Sequence, residues 1–227
     1  MKNDRILAVY EHLVDHYGPQ HWWPGETPFE VCIGAILTQN TAWTNVEKAI
    51  ASLKNASALS ADGIRALSEE ELAPLIRPSG YYNAKARKLK AFVSWLEAYC
   101  GDDMEALVQT ETGVVRKELL GIHGIGEETA DSILLYAAKK PVFLVDAYTR
   151  RIFNRLGILA ENASYGDVQQ MFMESLPLYA TLFNEYHALI VRHGKEICRK
   201  IPGCHDCCLA MANVTPDSPE YPCRHAR

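Results

Sequence analysis

The segment that most constrains this chain is residues 119–157, LLGIHGIGEETADSILLYAAKKPVFLVDAYTRRIFNRLG. At its centre, Gly124-Ile125-Gly126 separates two apolar runs of helical period. Val114, Val115, Leu119, Leu120 and Ile122 come before it, and Ala130, Ile133, Leu134 and Ala137 after it. The pattern predicts two short helices joined by a tight glycine turn. Glycine admits positive φ and lets backbone approach another surface with no Cβ in the way. The first N–H groups of the second helix lack intrahelical partners and lie at the positive end of its dipole, which suits phosphate. A GxG turn by itself is more often an ordinary helical hairpin, and the next segment narrows the choice. Residues 141–145 are apolar and non-helical, and they deliver Asp146 to the start of a further helix, where aspartate caps free N–H groups.

The chain has 227 residues, enough for one large or two small domains. Hydrophobic residues are 48% and charged residues 22%, as in soluble globular proteins. No apolar run approaches the ~20 residues a membrane-spanning helix needs. The N-terminal MKNDRILAVYEHLVDHYG carries charges inside its apolar pattern, unlike a signal peptide. A cytosolic location without a membrane partner is the expectation. The net charge of −5 weighs against a nucleic-acid binder unless basic residues are gathered on one face. They do gather: Lys85, Arg87, Lys88 and Lys90 in one helical pattern, Arg192, Lys195, Arg199 and Lys200 in another. A solvated helix face explains either cluster equally well.

From the N-terminus, Ile6, Leu7, Tyr10, Leu13, Val14 and Tyr17 form one face of a helix that Gly18-Pro19 ends. Trp22, Trp23 and Pro24 follow in a turn-prone segment; adjacent tryptophans cannot share a face, so they cover a core edge or wall a base pocket. Residues 29–38 read as a buried helix beginning at Phe29, with Gln39 just beyond it, and a second helix runs from about Trp43. Ser68 with Glu71 forms a capping box. Leu89, Phe92, Val93, Leu96 and Tyr99 give the next helix its apolar face, and two more helical runs cover about 165–176 and 179–194. Strand patterns, internal repeats and linkers are absent, so the expected class is all-α.

The run Ile122-His123-Gly124-Ile125-Gly126-Glu127-Glu128-Thr129-Ala130, followed about twenty residues later by Val145-Asp146, resembles the helix-hairpin-helix (HhH-GPD) DNA glycosylase superfamily. Gly80-Tyr81-Tyr82-Asn83-Ala84-Lys85-Ala86 resembles that superfamily's GxYxxKA segment. The similarity extends from about Trp22 to about Cys207. It implies the two-domain endonuclease III-like fold. A six-helix barrel with the hairpin would span 24–138. A second helical domain, 1–23 with 139–227, would carry Asp146 and the cysteines. The implied partner is double-stranded DNA with a damaged base, met by a monomer. Gln39 would fill the gap left by an extruded base, and Gly124, Gly126, Thr129 and Lys85 would contact DNA.

Five of seven cysteines, Cys198, Cys204, Cys207, Cys208 and Cys223, fall within 26 residues, a density that asks for a metal or a disulfide. A cytosolic location disfavours disulfides. Endonuclease III relatives hold a [4Fe–4S] cluster here, on Cys-x6-Cys-x2-Cys-x5-Cys. This chain departs from that spacing with Cys198-x5-Cys204-x2-Cys207 and a distant Cys223. Those four are the expected ligands of a [4Fe–4S] cluster in a C-terminal loop, with zinc as the alternative, since thiolates suit both. Cys208, adjacent to Cys207, is badly placed for the same metal.

Asp146 is the catalytic candidate: a fixed carboxylate stabilises an oxocarbenium-like transition state and positions or deprotonates water. A plain N-cap aspartate is the simpler account, and the two roles are compatible. Strand-cleaving relatives carry a lysine amine where this chain has Glu128, and a carboxylate forms no Schiff base. Glu128, together with Trp22-Trp23-Pro24, Gln39 and His193-Gly194-Lys195, is similar to the 3-methyladenine DNA glycosylase III branch. That branch implies a glycosylase without lyase activity acting on alkylated purines. Trp22, Trp23, Pro24 and Phe29 would form the base pocket, since cationic rings stack on tryptophan, and Lys195 would stand at its rim. Other readings are a glycosylase for mismatched or oxidised bases, a non-catalytic DNA-binding protein, and a redox sensor using the cysteines.

Overall fold

The structure, a computed structural model, describes residues 2–22 and 25–211; Trp23, Pro24 and Cys223 lie outside them. Its regular elements are helices, with no strand among the described residues, so the all-α expectation holds. No helix among them is long and apolar enough to cross a membrane. The chain divides into two compact units, Met1–Trp22 with Pro141–Arg227, and Trp23–Lys140.

The chain starts with α1 (Lys2–Tyr17), which buries Ile6, Val9 and Leu13 and stops at Gly18, where φ is +68°. The central unit comes next: α2 (Pro28–Leu37), α3 (Trp43–Asn55), α4 (Ala61–Ala66), α5 (Glu69–Leu75), α6 (Tyr82–Cys100), α7 (Met104–Gln109), α8 (Thr112–Gly121) and α9 (Glu127–Ser132). Val31, Cys32, Ile33, Ile36 and Leu37 are all buried, so α2 is the helix apolar on nearly every side that a core requires. α6 buries Leu89, Phe92, Val93 and Leu96 on one stripe, as its spacing predicts. The Ser68–Glu71 capping box closes reciprocally at the start of α5. Two six-residue helices, α4 and α7, show no apolar period because they span under two turns. Their caps mark them instead: Ser60 accepts from Gly63 N before α4, and Asp103 from Glu105 N before α7. After α9 the backbone continues as a π-helical turn over Ile133–Ala137, all buried.

The terminal unit resumes with the extended residues 141–145 and then α10 (Ala147–Arg155), α11 (Tyr165–Ser175), α12 (Ala180–Glu196) and the short α13 (Cys208–Met211). Val142, Phe143, Leu144 and Val145 are buried without a sheet to receive their backbone polar groups. α11 serves them instead: Gln169 Nε2 donates to Phe143 O (2.8 Å), and Val145 N lies 3.4 Å from Tyr165 Oη. Phe143 stacks on Phe172 (4.0 Å between centroids) and meets Phe183 and Tyr186 edge-on. Tyr186 Oη donates to Ile6 O (2.6 Å), which ties α12 to α1 across the unit. The residue that this rigid segment presents is Asp146.

Candidate functional site

In the central unit, α8 and α9 form the expected hairpin, but its two glycines differ. Gly124 has φ +80°, and a Cβ there would lie within 2.7 Å of the Lys88 methylenes. Gly126 is extended (φ −98°, ψ −178°), and an added Cβ would meet nothing within 4 Å. The need for positive φ therefore falls on Gly124 and not on Gly126, because only Gly124 turns the chain. No side chain caps the start of α9 at Gly126. Gln39 is fastened to the hairpin: its Nε2 donates to Gly124 O (3.1 Å) and Thr129 Oγ1 (2.9 Å), and Lys88 Nζ donates to its Oε1. Thr129 is thus buried as an anchor for Gln39. Glu128 is exposed on the first turn of α9. Arg116 of α8 forks onto the wholly buried Asp131 of α9, with Nε–Oδ1 at 2.7 Å and Nη2–Oδ2 at 3.0 Å, locking the two helices.

The basic cluster on α6 is a correction. Lys85, expected on the DNA-binding face, is buried, and its ammonium donates to Leu37 O and Ser79 O, both at 2.7 Å. Burial, with Lys88 nearby, lowers its pKa to about 8. Lys90 likewise donates to Arg65 O and Leu67 O at the end of α4. Helix C-termini carry unpaired carbonyls and the negative end of the dipole, and these lysines answer both. Of the four, Arg87 is exposed. Tyr81, at the variable second position of the Gly80–Ala86 segment, is a surface aromatic, 75% exposed in the left-handed conformation (φ 47°) just before α6. Phe29 is half-buried against Phe92, in a row continued by Trp95 and Tyr99, which is a core-edge placement.

In the terminal unit, Asp146 caps α10. Its Oδ1 accepts from Thr149 N (2.7 Å) and Thr149 Oγ1 (2.9 Å). Its Oδ2 faces His187 Nε2 of α12 at 3.5 Å, an electrostatic contact longer than a closed hydrogen bond. Burial pushes the carboxyl pKa up, but His187 and the Thr149 donors together outweigh it and hold it below the ordinary aspartate value. The group is 12% exposed and ionised at neutral pH. α12 also holds the segment leading to Trp22, since Glu185 accepts from the backbone N–H groups of Gln20 and His21. Trp22 is half-buried, and Lys195 is exposed near the end of α12.

The same helix leads into the cysteines. Cys198 and Cys207 are buried; Cys204 and Cys208 are half-buried. Gly203 N donates to Ile197 O (3.0 Å) and Cys207 N approaches Cys204 O (3.3 Å), which folds the loop back on itself. Two of these sulfurs face side-chain nitrogens. Arg155 Nη1 donates to Cys198 Sγ (3.2 Å), and Cys207 Sγ lies 3.5 Å from His193 Nε2. His193 is buried, its pKa lowered to about 4 by burial and then by His16. A neutral imidazole that accepts Tyr17 Oη–H at Nδ1 (2.9 Å) has Nε2–H left to offer to sulfur. Arg155 adds positive charge beside Cys198, which fits a thiolate that binds a cluster, whereas burial pushes the Cys207 thiol up to about 11 until a metal takes its proton's place. The described residues do not by themselves gather three donors close enough for a metal, and Cys223, the fourth expected ligand, lies outside them.

Comparison with known proteins agrees with this architecture. Residues 33–178 match the sequence model of the HhH-GPD superfamily base excision DNA repair proteins. A candidate DNA repair glycosylase of Methanocaldococcus jannaschii is 47% identical over 207 residues, covering 91% of this chain and 94% of that protein. Endonuclease III of Thermotoga maritima is 31% identical over 184 residues, 80% of each chain. Among solved structures, the Helicobacter pylori 3-methyladenine DNA glycosylase bound to 1,N6-ethenoadenine superposes with a TM-score of 0.73 at 29% identity. The match covers 86% of this chain and 97% of that one. An endonuclease III–DNA complex gives a TM-score of 0.78 at 22% identity, over 91% of this chain and 92% of that one, a likeness of fold.

Proposed function

The chain belongs to the HhH-GPD superfamily of base excision DNA repair proteins, and as a DNA glycosylase of that family we propose that it excises alkylated purines of the 3-methyladenine type without cutting the strand. The observation that carries this reading is the state of Asp146. Its carboxyl is held ionised by Thr149 and His187, so it is a base and a charge stabiliser, not an acid. Many bases need protonation to leave. N3- and N7-alkylated purines already carry positive charge and leave without it, so a carboxylate that stays ionised suits them. Trp22 supports the same class, because an aromatic face attracts a cationic ring. The Helicobacter pylori 3-methyladenine DNA glycosylase, solved with 1,N6-ethenoadenine, points the same way.

In this mechanism, duplex DNA is held by the backbone of the hairpin around Gly124 and Gly126, with Gln39 as the group that replaces the extruded base. As the C1′–N bond breaks, the base leaves with the bonding electrons and the sugar becomes cationic. Asp146 stabilises that charge and takes the proton of the water that adds to C1′. The enzyme acts as a monomer. Chromatography of bases released from methylated duplex DNA tests the substrate class: 3-methyladenine should appear ahead of any oxidised or mismatched base. Release of an oxidised or mismatched base alone would reject it.

Glu128 bears on the fate of the abasic sugar. An amine at that position would attack the sugar; its carboxylate does not. Lys195 is exposed near the end of α12 and is the other amine to weigh. The expected product is an intact abasic strand that breaks only on alkali treatment, with no borohydride-trapped protein–DNA adduct. Efficient trapping by the unmodified protein would overturn this and turn attention to Lys195.

The cysteine loop is read as the seat of a [4Fe–4S] cluster on Cys198, Cys204 and Cys207, completed by Cys223. Bound there, the cluster would tie the C-terminal loop to α12. Purified protein should be brown and contain about four iron and four sulfide per chain. Stoichiometric zinc without iron would replace that assignment.

A further inference from the structure

His187 belongs to no motif singled out in the sequence, and α12 buries it beside Phe183, Tyr186, Leu189 and Ile190. An imidazole among those residues would ordinarily be a core histidine. Its Nε2, however, is aimed at one atom that matters, Asp146 Oδ2, at 3.5 Å.

The carboxylate's other contacts sharpen the point. A carboxylate oxygen offers two lone-pair directions. Both of those on Oδ1 are taken, by Thr149 N and Thr149 Oγ1. Oδ2 faces His187 on one side and keeps its other lone pair, so Oδ2 alone has capacity left for a sugar cation or a water. Thr149 sits within the same turn as Asp146 and restrains the carboxyl at one oxygen only, which leaves rotation about that contact. His187 comes from a different helix, anchored by the buried Tyr186 one residue earlier. It supplies the second point that fixes the plane of the carboxylate. We propose that His187 is the positioning residue of Asp146, holding Oδ2 from α12 so that its remaining lone pair is the one presented to the substrate. The proposal rests on Asp146 being the catalytic carboxylate.

The electrical consequence has the same origin. Among the groups bearing on the Asp146 carboxyl, His187 is the titratable one, and Thr149 adds neutral donors. Burial alone would raise the carboxyl, so removing His187 should move it upward. Asp146 must be ionised to act, so base release has an acid limb set by this carboxyl. The limb should lie below the ordinary aspartate value, about 3.9, in the native protein and move to higher pH without the imidazole.

The test uses the full-length protein with a duplex oligonucleotide carrying one alkylated purine. Single-turnover base release is measured across pH and corrected for uncatalysed loss at each pH. His187→Gln keeps a polar nitrogen near the Nε2 position and removes the titratable ring; His187→Leu removes both. Both should bind lesion DNA as the native protein does. His187→Leu should lose about 100-fold in base release, the scale of a misplaced catalytic group. His187→Gln should lose less and still show the acid limb displaced upward. If His187→Leu fails to fold, His187→Gln decides. Native rates with an unmoved acid limb in a folded His187→Gln overturn the proposal. Asp146→Asn run in parallel separates the two levels: normal turnover there removes the catalytic reading and this proposal together. Lost turnover there, with native behaviour in the His187 variants, removes this proposal alone.

Discussion

Asp146→Asn is expected to bind lesion DNA with native affinity and to release base about 10²–10⁴-fold more slowly. The amide keeps the size of the carboxyl and one acceptor oxygen, so Thr149 N and Oγ1 can still be satisfied and α10 keeps its cap. The negative charge is lost, and with it the group that stabilises the sugar cation and accepts the water's proton. The helix should therefore remain while the chemistry fails, which separates catalysis from capping. Native Asp146 also adds a pH dependence to stability. Its carboxyl lies below the ordinary aspartate value in the folded protein, so its stabilising contribution is present above the unfolded pKa. That contribution is lost as pH falls through the lower folded value. Asp146→Asn should flatten the acid side of the stability profile. Near-native turnover in a well-folded Asp146→Asn would remove Asp146 from the mechanism.

Asp146 is legible in the sequence because three signals converge on it: an apolar non-helical run, an aspartate, and a helical pattern just after. The hairpin is legible for the same reason, since glycines interrupt two runs of matching period. His187 is not. It shares the apolar stripe of α12, and nothing in its own neighbourhood distinguishes it from packing. Its significance comes from Asp146, forty-one residues earlier, and only folding brings the two together. Lys85 is buried against expectation, although its spacing carries the signal. It precedes Leu89, Phe92 and Leu96 by four, seven and eleven residues, which places it on the buried stripe of α6. Counting basic residues as one cluster conceals that spacing, and the acidic net charge is balanced against fewer exposed cations than the sequence suggests. The cysteine loop lies between these cases: its donors and their density are evident, whereas the side-chain nitrogens of Arg155 and His193 that face sulfur come from distant positions.

The Arg116–Asp131 pair is the other place where a single change should act strongly, on stability rather than chemistry. Asp131 is wholly buried, while Arg116 keeps a quarter of its side chain in solvent. The bidentate geometry and the 3.7 Å approach of Glu127 to Arg116 make a charge network that joins α8 to α9. Arg116→Met takes the bidentate partner from a buried carboxylate, and breaking such a pair costs about 3–5 kcal/mol. Against a typical total of about 5–15 kcal/mol, that is a large loss. It should appear as a marked fall in the urea midpoint followed by helical circular dichroism. The loss comes mainly from burying a carboxylate that has lost its guanidinium, so removing the carboxylate too should recover stability. Arg116→Met with Asp131→Leu should unfold close to the native midpoint, because well-packed apolar replacements of buried ion pairs are often neutral or better. The hairpin would then be held by packing alone, with Gly124 still fixed by its turn and by Lys88. If the double variant is as unstable as Arg116→Met, the network's value lies in its hydrogen-bonded geometry, and charge burial is not the source of the loss. If the double variant is stable yet binds every duplex more weakly, lesion-bearing or not, the fork sets the angle at which the hairpin meets phosphate. Phosphate contacts position the protein without reading sequence, so that loss should be uniform across DNA substrates.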